Sequence, residues 1–419
     1  MRIADCRASF FSTKKSPFPV TGISRGWEWY SAADGTNFNT ATGQMEGGRT
    51  LELRNPLVPN GNGQNWAFST QTNGTPGAVN TAFTNNIAPM ILDLAHFPAV
   101  PTSADPVYIT ARVRDEQTNG HTVNLFSRSH TAASPAAFTN QVMFDDGLHN
   151  DGLAGDGTYA ATLPPSANGT IMEFYVRAQD VTGRTNTWPA AARAETGVFS
   201  QAANALYQVD NEAFTTNMPL FRIIMTATEN TEYFALNQNS DAEMNCTFIS
   251  LDGEGAKVRY VSGMRIRGAG SRSGTPKNNR LHFSSDNRWN GLTSINLNNR
   301  YTPSQVLGSA LALKSGLPAS YARPVQYRIN AANLAGSASP QYGAFNYAEP
   351  INGDWAGTHY PNDSAGNVYR ASTGSHNADF TNFGTNGNSY VARGYAKTSN
   401  AWAKRETSLT PSLRSRMTA

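Results

Sequence analysis

Between residues 88 and 200, apolar and polar residues alternate in short runs broken by turn formers, with hardly any helical period. In "VYITARVRD", Val107, Ile109, Ala111 and Val113 alternate with polar neighbours, the mark of a half-buried strand. "TVNLFS" and "IMEFYVRAQD" repeat the pattern, the second placing Met172, Phe174, Val176 and Ala178 on one face. Period-two residues present one apolar face per strand, and that face is buried by stacking sheets rather than by bundling helices.

Strands this short, spaced by turn clusters, predict a β-sandwich over 88–205 of immunoglobulin-like or fibronectin-like type, entered through the Pro-rich "FPAVPTSADP". Composition agrees: charged residues are 15% of the chain, while neutral polar turn formers abound. A length of 419 residues predicts two or three domains. The formal charge of +3 is too small to indicate nucleic-acid binding by bulk electrostatics. Cys6 and Cys246 lie far apart and imply neither a disulfide framework nor a thiolate metal site. No apolar run approaches the roughly 18 residues needed to span a bilayer. The opening "MRIADCRASFFSTKKSPFPV" is basic but lacks the continuous apolar core of an export signal.

Two further regions flank the sandwich. Residues 1–80 are turn-rich, with one short strand in "GGRTLELRNP", where Leu51 and Leu53 alternate against Thr50, Glu52 and Arg54. From 211 the texture becomes α+β. "LFRIIMT" reads as a buried strand and "KVRYVSGMRIRG" as a long alternating one. "TPSQVLGSALALKSGLP" predicts a helix with Thr302 at the N-cap, Pro303 at N1 and Gln305 at N3. Val306, Leu307, Ala310, Leu311 and Leu313 form its expected buried stripe, and Gly316 with Pro318 ends it.

Two stretches carry candidate chemistry. Period two on the long strand puts Val258, Tyr260, Met264 and Ile266 on one face and Lys257, Arg259, Arg265 and Arg267 on the other. Such a cationic stripe, followed by Gly268, Gly270, Gly274, Lys277 and Arg280, suits either a phosphate cradle or a solvated hairpin. It is not a P-loop, because no helix follows a G-x-x-x-x-G-K-[ST] pattern. "FDDGLHNDGLAGDGTY" sets Asp145, Asp146, Asp151 and Asp156 among glycines, which suits either a Ca²⁺ loop or a run of Asp-Gly turns. No Ser–His–Asp arrangement supports hydrolase chemistry.

"MRIRGAGSRSGTPKNNRLHF" resembles the signature of CotH-type atypical protein kinases, first associated with bacterial spore coats. The helix segment, "YGAFNYAEPINGDW" and "SAGNVYRAS" continue the match in order from about 218 to 400. "GGRTLELRNP", "NWA" and "GTPGAVN" resemble part of a lamin-tail domain. Together the resemblances imply a partial lamin-tail region (1–80), the sandwich (88–205) and a kinase-like α+β lobe (211–419). They imply a secreted or cell-surface kinase transferring the γ-phosphate of ATP, with Mg²⁺, to a protein Ser/Thr acceptor. Arg265, Arg267, Gly268, Lys277 and Arg280 would hold phosphate. Glu349 would lie near the nucleotide or serve as an ordinary strand carboxylate. The last twenty residues hold one acidic residue, Glu406, whereas the family's Mg²⁺ ligands come from a later acidic lobe. The chain is therefore read as a fragment, inactive as given. The alternative is a non-catalytic surface, adhesion or scaffold protein.

Overall fold

The computed structural model describes residues 38–39, 44–45 and 49–398, apart from 73, 131–135, 194–198, 214–217, 269–270, 337–342, 365 and 372–380. Cys6, Gly270 and the segment 399–419 discussed above lie outside the described residues. No helix among those described is long and apolar enough to cross a membrane.

Near the N-terminus, β1 (Arg49–Leu53) pairs with β2 (Trp66–Thr72). The expected strand at Leu51 and Leu53 forms, but its buried member is Glu52. The Glu52 carboxylate accepts from Thr81 Oγ1 at 2.8 Å and from the Ala82 amide at 3.0 Å. Those bonds offset burial and hold its carboxyl below the usual range.

Two sheets then stack. β3 (Met90–Phe97), β4 (Val107–Arg114) and β7 (Thr158–Leu163) form one. β5 (Thr122–His130), β6 (Thr139–Val142), β8 (Ile171–Gln179), β9 (Thr185–Trp188) and β10 (Ala205–Gln208) form the other, with β8 pairing β5 along one edge and β9 and β10 along the opposite edge. Val107, Ile109, Ala111 and Val113 face Phe174, Val176 and Ala178 across the core, as the alternation requires. On the other face of β8, Glu173 is 1% exposed and accepts from Arg128, His130 and Asn204.

The C-terminal sheet is a closed barrel. β11 (Leu220–Ile224), β12 (Glu243–Asp252), β13 (Gly255–Ile266), β14 (Asn279–His282) and β15 (Ser294–Asn298) pair in sequence. β17 (Phe345–Ala348) joins β15 to β16 (Ala322–Ile329), and β16 returns to β11 in the only parallel pairing of the ring. Phe221, Phe248, Trp289 and Tyr347 interlock edge-to-face in its interior, and the Trp289 indole donates to Ser250 Oγ at 2.8 Å. This is more strand-rich than the α+β lobe expected from the sequence.

A bulge in β13 breaks the expected charge stripe. Cys246 pairs with Ser262 but Phe248 pairs with Arg259, so β13 carries one extra residue here, with Val261 at φ +47°. One inserted residue exchanges the two faces of a strand. Met264 and Ile266 therefore point into the barrel, while Tyr260 points out and joins the sandwich core. Lys257 and Arg259 leave the face that Arg265 and Arg267 occupy. Arg259 instead donates to the Arg288 carbonyl at 2.7–2.9 Å, and Lys257 pairs with Glu254 at 3.0 Å.

Sandwich and barrel share a buried seam. Ile171 and Leu206 pack on Ile224 and Ile249, and Thr247 Oγ1 accepts from the Leu206 amide at 3.0 Å. Tyr260 hydrogen-bonds His96 Nδ1, whose ring stacks on Tyr207 at 5.1 Å. Arg222 pairs with Asp210 at 2.7 Å, with side chains 1% and 8% exposed.

The described helices include α1 (Ala227–Ala235), α2 (Thr302–Lys314) and α3 (Gly353–His359). α2 starts one residue earlier than expected. Tyr301, in the left-handed region, is its N-cap, while Thr302 Oγ1 donates to the Ala344 carbonyl. Its stripe is not buried, with Leu307 61% and Leu311 57% exposed. Thr302 and Gln305 are the α2 side chains that hydrogen-bond the barrel, while Val306, Leu307 and Ala310 line an open apolar cleft with Met218, Pro324 and Ala344.

Candidate functional site

The register of the barrel aligns one polar row on its outer face. Glu243 pairs with Arg265, Arg265 with Arg280, and Arg280 with Asn296. Arg267 extends the row, its amide donating to the Asn278 carbonyl at 3.0 Å and its guanidinium to Asn298 Oδ1. Cross-strand partners lie about 5 Å apart, so three guanidinium-bearing residues share one patch of surface. Arg280 donates to Ser294 Oγ at 2.9 Å, yet its buried Nε has no partner. Burial, and after it the charges of Arg265 and Arg267, push Arg280 down to about 10. Asn296 Oδ1 on the neighbouring strand, and Asn346 Oδ1 opposite Asn298, are also buried without partners. The amides of Asn298 and Asn346 both donate to Gln305 Oε1, at 2.8 and 2.9 Å.

The patch has its own counter-ion. Asp241, 69% exposed, pairs with Arg265 at 3.2 Å and also with Arg272. Arg272 further donates to the carbonyls of Gly268, Gln238 and Ser240 at 2.8–3.2 Å, which folds the glycine-rich loop onto the segment before β12.

Arg265, Arg267 and Arg280 therefore meet, but the other expected residues do not join them. Lys277 turns back and gives its ammonium to the Arg272 carbonyl at 3.1 Å. Gly268 has φ +118°, a backbone shape that excludes most side chains, so its absent Cβ serves the turn rather than a ligand. Glu349, 7% exposed, accepts from His359 Nε2 at 2.8 Å and from the Tyr321 amide at 3.0 Å; its partner is the helix α3, not an arginine. Asn296, Asn298, Gln305, Asn346 and Asp241 were not legible beforehand, because only strand register and the α2 crossing bring them to the arginines.

The arginine patch fits an anion such as a phosphate chain by charge and by donor geometry. Mg²⁺ does not fit in the same way: no group of three or more His, Cys, Asp or Glu side chains among the described residues is placed to hold a metal ion. The Asp-Gly loop shows why its carboxylates are not such a group. Asp151 accepts from the amides of Asp146, Gly147 and His149 at 2.5–3.1 Å. Asp145 accepts from Gly155 and Gly157, Asp146 from Leu148 and the His149 ring, and Asp156 from Thr158. In this structure these oxygens close the turns of the loop.

Comparison with solved structures finds the Listeria monocytogenes cycloalternan-forming enzyme in complex with a pentasaccharide, at 10% identity and TM-score 0.20. An uncharacterized L. monocytogenes protein in complex with glucose, magnesium and calcium follows at 10% and 0.19. Each alignment covers 49% of this chain and only 20% of the other chain's length. No curated protein matches the sequence. Residues 107–196 match the family model of the second Ig-like domain of conditioned medium factor, and the sandwich is accordingly an Ig-like domain.

Proposed function

We propose that the barrel is the nucleotide-side lobe of a CotH-type kinase, and that Arg265, Arg267 and Arg280 on its outer face bind the phosphate chain of ATP. The convergence of three guanidinium groups carries the reading. Like charges this close repel, and a phosphate anion would turn that repulsion into charge-assisted hydrogen bonds. In this account the chain comprises a lamin-tail-like region, the Ig-like module and the kinase-like lobe. It belongs to a secreted or cell-surface protein whose partner is a protein phosphoacceptor. No phosphotransfer step is assigned, since the described residues offer no Mg²⁺ ligand set.

A second reading, a non-catalytic surface scaffold with a degenerate kinase-like lobe, draws on Lys277 and Glu349. Both are committed to protein partners away from the patch. Thermal shift with ATP, with and without Mg²⁺, separates the two. Ligand at 100 times Kd would raise stability by about 2.7 kcal/mol. No shift at any ATP concentration would favour the scaffold.

A further inference from the structure

On the outward face of the Ig-like sandwich, far in sequence from the arginine patch, lies an open trough of about 290 Å³. Its floor is small: Ala95 pairs with Thr110 across β3 and β4. At one end the cross-strand pair Phe97–Tyr108 supplies two aromatic rings, Phe97 69% exposed. On the other side the Asp-Gly loop brings Asn150 over the sheet, its backbone at φ +65°, a conformation Asn tolerates better than most residues. His96 lines the bottom but is spent inward on Tyr260 and the Ala99 carbonyl.

The chemistry of this lining is selective. Tyr108, Thr110 and Asn150 line the trough, and none of their side chains makes a hydrogen bond within the described residues. No formally charged side chain lines it, so it does not suit phosphate, metal or nucleic acid. An apolar ligand would leave three polar groups without partners, at a cost for each. A peptide strand would add along the outer edge of β3, whereas the trough lies on the face across the β3–β4 pair, where no backbone edge is presented. A sugar ring meets both demands. Its C–H face packs on an aromatic ring, whose negative face attracts the slightly positive hydrogens, while its hydroxyls both donate and accept toward neutral amide and hydroxyl groups.

We infer that this trough is a carbohydrate-binding site, with Phe97 as the stacking platform and Asn150, Tyr108 and Thr110 reading the hydroxyls. The test is saturation-transfer difference NMR on the full chain with maltotriose, cellotriose and chitotriose as probes. Transfer to at least one probe is expected. Phe97→Ala and Asn150→Ala should each weaken it by roughly tenfold or more in titration. Phe97 is exposed, so melting of Phe97→Ala should hold within a degree or two, while Asn150→Ala, at a positive φ, should melt a few degrees lower and still fold. Should Phe97→Ala fail to fold, Asn150→Ala and Tyr108→Phe carry the same test. Absence of transfer to all three probes, or transfer that survives the substitutions, would overturn the inference. So would binding of an apolar dye at the trough, sensitive to Phe97→Ala, with no saccharide signal.

Discussion

His96 makes the seam between sandwich and barrel sensitive to pH. The ring is 5% exposed, donates from Nε2 to the Ala99 carbonyl and accepts the Tyr260 hydroxyl at Nδ1, so it is neutral in the native state. Burial pushes its pKa down to about 4, against an ordinary value near 6.5. Between those values the unfolded chain binds the proton and the native one does not, so stability rises with pH. The contribution is complete above about 6.5 and drains away as pH falls toward 4. The full difference is about 3 kcal/mol, and about 2 kcal/mol of it is lost by pH 5. Urea melts at pH 8 and pH 5 measure it. His282 is also pushed down by burial and acts in the same direction, so the informative quantity is wild type minus His96→Gln. The variant should be less stable at pH 8 but should lose about 2 kcal/mol less on acidification, while Tyr260→Phe, which retains the imidazole, should keep the wild-type slope. Equal slopes in wild type and His96→Gln would refute the reasoning.

Other expectations follow from the same contacts. Arg222→Met leaves Asp210 buried and unpaired, and should cost roughly 3–5 kcal/mol in chemical denaturation. Leu311→Lys on α2 should change stability by less than about 0.5 kcal/mol, because that side chain already faces solvent; a larger loss would restore the buried stripe that the periodicity suggested. Asp151→Ala removes the acceptor of three amides and should lower stability by about 1–3 kcal/mol. EDTA should leave wild-type melting unchanged, whereas a drop reversed by Ca²⁺ would reinstate the metal reading of the loop.

Local pattern was readable and closure was not. Val107 to Val113 and Met172 to Ala178 announce their strands because each residue's side is set by its neighbours. The barrel depends on Leu220–Ile223 pairing in parallel with Gln326–Ile329, about a hundred residues away, and no local period encodes that. The bulge at Tyr260–Val261 shows the limit most clearly. Period-two reasoning carried across it joined Lys257 and Arg259 to the wrong face, although it placed Arg265 and Arg267 together correctly. Arg280 was found by its charge, but Asn296 resembles any strand asparagine until the register puts it beside Arg280, and Asn346 until it pairs with Asn298. The helix was legible from its proline, glycine and apolar spacing. Its orientation was not, because its contacts with the barrel run through Thr302 and Gln305, which the apolar spacing does not mark.

The central claim is that a phosphate chain sits on Arg265, Arg267 and Arg280, while Lys277 stays with the hairpin. Isothermal titration with ATP and with tripolyphosphate, at low ionic strength and without Mg²⁺, tests it most directly. Both ligands should bind through their phosphates. Arg280→Met should weaken each by about 10- to 100-fold, the value of one charge-assisted contact, and Lys277→Met by less than about twofold. Equal affinity in wild type and Arg280→Met, or a loss at Lys277→Met as large as that at Arg280→Met, would contradict it.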